Sequence, residues 1–377
     1  MKLLYLTVPS YFDLEISLIR ELSIFCDIKV LVIVSPESQN SSAFVLDELK
    51  KEPGVFPWSS FESLNKYSTM IKPEQWFIAN NPNNSLISGY RLAKIMKRWI
   101  KDADIVHCTT DCKTMLFCLP TIYSKKNTLY TVHDPTPHSV ISFARKCYIK
   151  LGYICFHNLL FLSQTYHDLI RKEFKNFNVF YSKLGIYDYL CTYQSNRVID
   201  GDYILFFGRI DEYKGVDLLI QSYHNSSLQE NSIKLVIAGK GIINCDGIPD
   251  RNIILLNRYI RNDELASLIK YSLFVVLPYR TVTQSGVLKS AYAFDKPVVA
   301  SRVGSFANEI KDGEEGVLVN PSDEKDLCRG LEQMAGENLE RMSVKIHNRY
   351  SASGEEGWTS IAYNLVQSVY NVIVSQE

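Results

Sequence analysis

The sequence has no excess of charge of either sign and no long hydrophobic run. Lysine plus arginine number 41 and aspartate plus glutamate also number 41, so the formal net charge is zero. That balance argues against a general nucleic-acid binder, which needs a surplus of positive charge. Because no stretch reaches about 18 uncharged apolar residues, we expect no membrane-spanning helix.

Cysteine patterns typical of metal or disulfide sites are also missing. The nine cysteines include no Cys-x-x-Cys pair, and the one cluster, Cys108, Cys112 and Cys118, fits no metal template. We therefore expect no metal ion, no disulfide framework, and a reducing, cytoplasmic environment. The apolar start of the chain is interrupted by Pro9 and Asp13, so we expect no secretory leader.

What the sequence contains is the pattern of an α/β protein. Hydrophobic residues make up 46% of the 377 residues and charged residues 22%, an ordinary globular balance. At roughly 150 residues per domain, this length predicts two domains. Buried strands alternate with helices, which predicts parallel sheets covered on both faces. The predicted strands are 2–8, 28–34, 104–107, 128–132, 158–163, 203–207, 234–238, 252–256, 273–277, 297–300 and 316–319.

The segment 187–202 has no strong period and is the predicted linker. The N-terminal domain is then 1–190, joined by a C-terminal helix within 358–377, and the second domain is 200–355. Two such domains meet at a cleft, a common place for a ligand.

The motif with the clearest chemistry is YILFFGRIDEYKGVDLL, residues 203–219. It predicts a strand, a glycine turn at Gly208, and a helix whose N-terminus offers free N–H groups. Arg209 and Lys214 add two positive charges, which suits a diphosphate. The alternative is a solvated basic pair on an ordinary loop.

A second glycine turn lies in LPYRTVTQSGVLKSAYAFDKPVVA, residues 277–300. Thr283, Gln284, Ser285 and Gly286 fall between a predicted strand and a helix. Such a turn can hold phosphate or sugar hydroxyls. The alternative is an ordinary helix cap by Thr or Ser.

A third motif is TVHDPTPH, residues 131–138, which places His133 at the end of a strand with Asp134 beside it. Imidazole donates or accepts hydrogen bonds near neutral pH, and the prolines would hold the loop extended. A purely structural histidine is the alternative, both for His133 and for His138.

Four segments in order resemble the nucleotide-sugar half of retaining glycosyltransferases of family 4. They are FFGRIDEYKGVDLLI, KLVIAGKG, DELASLIKYSLFVVLPY and AYAFDKPVVASRVGSFANEIKDGEEGVLVNPSD, and together they cover about 200–335. TVHDPTPH and NLLFLSQTYHDLI resemble the first domain of that family more loosely. The likeness is greatest to bacterial enzymes that build O-antigen, capsule and other exopolysaccharides.

The resemblance implies two Rossmann-like domains facing across a cleft, the GT-B arrangement, with the acceptor in the first and the donor in the second. It implies that Arg209 and Lys214 neutralise the diphosphate leaving group and that His133 lies near the transferred sugar. The implied reaction is retaining hexosyl transfer without metal or further cofactor, from a UDP- or GDP-linked sugar. The implied donor contacts are Gly208, Arg209, Lys214, Gly239, Thr283, Gln284, Ser285, Gly286 and Glu309.

One departure from the family pattern concerns two glutamates normally eight positions apart. Val282 and Ser290 stand at those positions. We expect the TQSG turn to substitute, through Gln284, Ser285 and the amide of Gly286. The alternative is a non-catalytic nucleotide-sugar or saccharide-binding partner of a polysaccharide assembly complex. An inverting enzyme or epimerase ranks below both, because no paired carboxylates occur in the motifs.

The implied acceptor is a saccharide, and a lipid-linked glycan of lipopolysaccharide or capsule synthesis fits best. A helix predicted over 91–101 bears on where the protein works, because a basic amphipathic helix can lie on the inner face of an anionic membrane. Its alternative is a helix that covers the sheet with its charges solvated. Apolar and basic residues lie on opposite sides: Leu92, Ile95, Met96 and Trp99 against Lys94, Lys97, Arg98 and Lys101.

Overall fold

The computed structural model describes residues 1–41, 43–110, 112–133, 153–162, 174, 177–243, 250–282 and 285–376. The chain divides into two units. The first comprises Met1–Leu184 and Trp358–Glu377, and the second comprises Gly185–Gly357. Each unit is built on a mainly parallel sheet with helices packed against it, so the predicted Rossmann-like α/β fold class is confirmed.

The first unit contains a sheet of eight described strands in the order β3-β4-β2-β1-β5-β6-β7-β8. Neighbouring strands run parallel except β3 and β4, which are antiparallel. The strands are β1 Lys2–Thr7, β2 Asp27–Val34, β3 Gly54–Pro57, β4 Trp76–Asn80, β5 Ile105–Cys108, β6 Thr128–Val132, β7 Asn158–Phe161 and β8 Asn178–Tyr181. The described helices before the chain leaves this unit are α1 Phe12–Phe25, α2 Leu86–Asp102, α3 Lys113–Leu116 and α4 Leu119–Tyr123.

The second unit contains a sheet of six described strands in the order β11-β10-β9-β12-β13-β14, with parallel pairing throughout. The strands are β9 Tyr203–Phe207, β10 Lys234–Ala238, β11 Ile253–Leu256, β12 Val275–Leu277, β13 Val298–Ser301 and β14 Gly316–Val319. The helices are α5 Val216–His224, α6 Asn262–Tyr271, α7 Gly286–Ala293, α8 Phe306–Glu309, α9 Glu324–Gly336 and α10 Leu339–Tyr350. Strand order reverses between β9 and β12, the topological switch point at which open α/β sheets bind ligands.

The last helical segment belongs to the first unit. It consists of α11 Trp358–Leu365, one π-helical stretch Val366–Tyr370, and α12 Asn371–Val374. The Thr359 hydroxyl donates a hydrogen bond of 2.8 Å to Glu21 of α1. Buried Tyr370 meets His107 of β5, with 2.6 Å between Tyr370 Oη and His107 Nδ1. No helix among the described ranges is both long and apolar enough to cross a membrane.

The prediction of a linker at 187–202 is wrong, because the structure packs most of this segment onto the second unit. Tyr189 and Leu190 are buried, and Cys191 Sγ donates to the Ala293 carbonyl at 3.1 Å. Nothing periodic marks this segment, so its burial depends on the helices α6 and α7 that receive it. The sequence patterns also missed β3, β4, β8 and α10. The sequence from Tyr166 onward also has a helical pattern, and that segment lies outside the described residues.

Candidate functional site

The turn after β9 forms the centre of the candidate site in the second unit. Gly208 adopts φ +107°, a conformation that glycine accepts and L side chains rarely do. A β-carbon built there would lie 3.1 Å from Lys214 Nζ and 3.3 Å from Val287 Cγ2. The Lys214 amine and the first turn of α7 therefore meet over Gly208, at the switch point of the sheet.

Lys214 is a buried cation, with only 6% of the residue exposed. Its Nζ donates to the Tyr279 hydroxyl at 3.0 Å and lies 4.8 Å from the Tyr279 ring centroid. No carboxylate of the described chain lies within ion-pair distance of this amine. Burial, together with the charge of Arg209, lowers the pKa of Lys214 to about 8. A buried cation with a phenol as its partner is expensive, and an anionic ligand would relieve that cost.

Arg209 lies beside this amine but in solvent, with its side chain 69% exposed. Its Nε pairs with Asp211 Oδ2 at 2.6 Å. A hydrogen bond with the Tyr213 side chain and the charge of Asp211 raise the pKa of Arg209. The predicted basic pair thus consists of one buried and one exposed cation, brought close enough for Arg209 to depress the pKa of Lys214.

Gly239, at the end of β10, closes the site on the other side of β9. A β-carbon at Gly239 would lie 1.8 Å from the Gly208 carbonyl oxygen, so the two turns touch backbone to backbone. A larger residue at this position would separate the turns.

The second glycine turn is described from Ser285 onward, while Thr283 and Gln284 lie outside the described residues. Ser285 caps α7, its hydroxyl accepting from the Leu288 amide at 3.3 Å. Gly286 begins the helix. The Ser285 side chain also hydrogen-bonds with Tyr279, the partner of Lys214, so both glycine turns converge on one tyrosine.

Glu309, at the end of the short helix α8, pairs with a lysine of α7. Its carboxylate lies 3.0 Å from Nζ of Lys289, whose side chain is 3% exposed. Lys289 also approaches Glu356 at 4.0 Å and the Tyr350 hydroxyl at 3.3 Å. Glu309 is thus held beside the candidate site by a buried ion pair, and its donor contact remains a prediction.

The positions of the two absent glutamates are both buried. Val282 is 4% exposed and Ser290 is 5% exposed. Lys289, the residue that precedes Ser290, is paired with the carboxylate of Glu309.

His133 lies in the first unit, directly after β6, and Asp134 and His138 lie outside the described residues. Its ring stacks on Tyr11 with 4.0 Å between centroids and 19° between planes. Nε2 lies 3.4 Å from Glu15 Oε1. Glu15 is 3% exposed, and the sequence motifs gave no sign of it.

Sequence reasoning also missed Tyr279 and Lys289. Tyr279 follows β12, one of the two strands that flank the switch point, and that position is the signal that could have identified it. Lys289 offered no such signal, because a lysine in a helix is normally solvated.

Comparisons with known proteins show which proteins this chain resembles. Residues 201–337 match the family described as Glycosyl transferases group 1. An uncharacterised glycosyltransferase of Methanocaldococcus jannaschii is 33% identical over 161 residues, which cover 39% of this chain and 45% of that protein. An alpha-D-kanosaminyltransferase of Streptomyces kanamyceticus is 27% identical over 143 residues, covering 36% of each protein. The matches therefore span less than half of these curated relatives.

Among solved structures, Anabaena HepE in complex with UDP has a TM-score of 0.66 at 13% identity, covering 98% of this chain and all of that one. At that identity the likeness concerns the fold. Residues 201–337 therefore resemble the glycosyltransferases of group 1, and the chain shares the fold of HepE.

Proposed function

We propose that this protein is a retaining glycosyltransferase that moves a sugar from a nucleoside-diphosphate donor, UDP- or GDP-linked, to a saccharide acceptor. The observation that carries the proposal is Lys214, a buried ammonium at the switch point of the second unit that has no carboxylate partner among the described residues. HepE, whose fold this chain shares, is described in complex with UDP.

The geometry suits a diphosphate for three reasons. Lys214 supplies a desolvated positive charge, Arg209 a second one, and Gly208 a turn without a side chain between Lys214 and α7. During transfer, the bond between the anomeric carbon and the phosphate oxygen breaks, and the diphosphate departs with extra negative charge. The acceptor oxygen bonds to that carbon and its proton passes to the departing phosphate. Fixed cations stabilise the leaving charge, so the proposal needs no metal ion.

The acceptor in this proposal is a lipid-linked saccharide of surface polysaccharide synthesis, such as O-antigen or capsule, reached from the cytoplasmic face of the membrane. Helix α2 supports the peripheral contact, though mostly through other residues than the predicted ones. Leu92 and Met96 are buried in the core, and Trp99 packs on Phe77 at 4.8 Å between ring centroids. The exposed apolar side chains are Leu86, Ile87 and Tyr90 together with the predicted Ile95, beside exposed Arg91 and Lys94.

Vesicle flotation tests this contact. The double variant Leu86→Glu and Ile87→Glu should lose binding to vesicles containing phosphatidylglycerol, since a charged side chain cannot enter the apolar boundary. Val344→Glu, an equally solvent-exposed position on α10, is the control. Equal flotation of wild type and double variant would contradict the contact.

A thermal-shift panel with UDP, GDP, CDP and dTDP, with and without EDTA, tests the donor site. We expect one nucleotide to raise the melting temperature regardless of EDTA, because ligands of the native state stabilise it by mass action. Arg209→Ala should weaken that shift. Arg302→Ala is the matched control, since Arg302 is likewise an exposed arginine paired to an aspartate at 2.6 Å. No shift with any nucleotide would refute the donor site.

A second candidate is a nucleotide-sugar-binding protein without turnover. The buried Val282 and Ser290, in place of the two glutamates, favour it. A radiolabelled nucleotide sugar separates the candidates: transfer of label to a saccharide or to water supports the enzyme, whereas binding without any release supports the partner role.

A further inference from the structure

Three polar atoms beside the carboxyl edge of the first unit's sheet have no hydrogen-bond partner among the described residues. They are Glu15 Oε1 and the two ring nitrogens of His133. All three are shielded from solvent, since Glu15 is 3% exposed and the His133 side chain 14% exposed. Buried polar atoms are satisfied in the great majority of cases, so such a group indicates a missing partner.

The other oxygen of Glu15 is already engaged. Thr7 Oγ1 donates to Glu15 Oε2 at 2.5 Å. Tyr5 also hydrogen-bonds with Glu15, and its pKa is raised well above the ordinary value, first by burial and then by the charge of Glu15. Tyr5 and Thr7 therefore hold the carboxylate in place and leave Oε1 directed at His133.

His133 is fixed from two sides. Tyr11, directly before α1, stacks on one face of its ring, and Glu15, in the first turn of α1, lies 3.4 Å from Nε2. That distance exceeds a normal N–H···O hydrogen bond, as is common for catalytic pairs without substrate. Thr131 offers no alternative partner, because its hydroxyl meets His107 Nε2 at 2.6 Å.

The pair opens into a pocket with mostly apolar walls. Glu15 and His133 line it together with Tyr5, Thr131, Ser182 and Lys183, and leucines form much of the remainder. The pocket adjoins the ends of β6, β7 and β8, the edge where open α/β sheets bind ligands.

We propose that Glu15 is a positioning residue that orients His133. The Glu15 carboxylate accepts a hydrogen bond from Nε2–H of His133, which fixes one tautomer of the ring and leaves Nδ1 as an acceptor for a ligand hydroxyl. The nature of the ligand rests on the proposed function, whereas the pairing of Glu15 with His133 rests on geometry alone.

The tautomer of His133 tests the pairing without any substrate. Nitrogen-15 spectra of histidine-labelled protein at pH 8.5, with His133 assigned by loss of its signals in His133→Gln, distinguish Nε2–H from Nδ1–H. We expect Nε2–H in the wild type and a mixture in Glu15→Leu, which keeps the volume among neighbouring leucines. Glu21→Gln, in the same helix, is the control and should match the wild type.

Nδ1–H in the wild type overturns the proposal, and so does an unchanged tautomer in a folded Glu15→Leu. The first of these readings needs only His133→Gln for the assignment, so it holds even where Glu15→Leu does not fold. In transfer assays, Glu15→Leu should lower kcat/KM for the acceptor about 10- to 100-fold while UDP affinity stays unchanged. A chain that binds no nucleoside diphosphate would refute the proposed function and leave the tautomer test standing.

Discussion

The burial of Lys214 makes a prediction that links stability, ligand affinity and pH. Its pKa is lowered to about 8, whereas an unfolded lysine titrates near 10.5. Because the folded pKa lies below the unfolded one, the native state binds fewer protons between these values, and stability rises as pH climbs from about 8 to about 10.5. Below pH 8 the full penalty of the buried charge is present, about 3 kcal/mol from this difference in pKa.

Removal of that charge should therefore stabilise the free protein. Lys214→Met abolishes the penalty but also loses the hydrogen bond to Tyr279, about 1 kcal/mol, so the net gain at pH 7.5 is about 2 kcal/mol. For a unit of this size the melting temperature should rise about 4–8 °C. The same variant should no longer bind UDP, the pattern expected where a functional site is built at the expense of stability.

Binding of a diphosphate should restore the ordinary pKa of Lys214 and thus take up a proton at alkaline pH. With a free-state pKa of about 8, the protonated fraction falls enough between pH 7.5 and 8.5 to weaken UDP binding about threefold. Isothermal titration calorimetry at the two pH values measures this change. Lys214→Arg, which stays charged throughout, should bind UDP with equal affinity at both.

Two results would refute the reasoning. A melting temperature that falls in Lys214→Met would mean that the lysine stabilises the fold through contacts rather than serving a ligand. UDP affinity that is independent of pH in the wild type, or equally pH-dependent in Lys214→Arg, would mean that Lys214 does not carry the proton.

Two further substitutions probe the same unit. Gly208→Ala should weaken UDP binding about tenfold or more, since its methyl group displaces the Lys214 ammonium, which makes a charge-assisted hydrogen bond. Gly313 also has positive φ but has open space around it, so Gly313→Ala should lower stability and leave UDP binding unchanged. Equal UDP affinities in the two variants would contradict the contact between Gly208 and Lys214. Lys289→Met leaves the carboxylate of Glu309 without its buried partner and should cost about 3 kcal/mol in urea unfolding. Lys345→Met breaks an exposed pair at 2.8 Å and should leave stability almost unchanged, so similar losses in the two would argue against the buried ion pair.

Much of the second unit could be read from the sequence. Strands β9, β10 and β14 begin and end where predicted, because buried strands of a parallel sheet are short apolar runs bounded by polar or glycine residues. The predicted turn residues Gly208 and Lys214 do meet, together with the turn after β10. Local patterns were sufficient here because each motif lies at the end of its own strand, and parallel strands place those ends at one edge.

The first unit was harder to predict, because local patterns do not identify several of its strands. Strands β3 and β8 contain only short apolar runs, and the pairing of all three unpredicted strands, β3, β4 and β8, depends on neighbours distant in sequence. The apolar side of α2 shows that an amphipathic pattern is ambiguous, because Leu92 and Met96 could equally face a membrane or a sheet. In the structure both side chains are buried in the hydrophobic core.

The sequence by itself determined the α/β class, the two glycine turns, and the positive charges beside the first of them, because these follow from local composition and spacing. Only the tertiary structure decided that Lys214 is buried against Tyr279, 65 residues away, and that Glu15 faces His133 across the edge of the sheet. Burial and pairing of charged groups depend on which chain segments pack against each other. The lowered pKa of Lys214 and the orientation of His133 therefore arise only when folding brings those segments together.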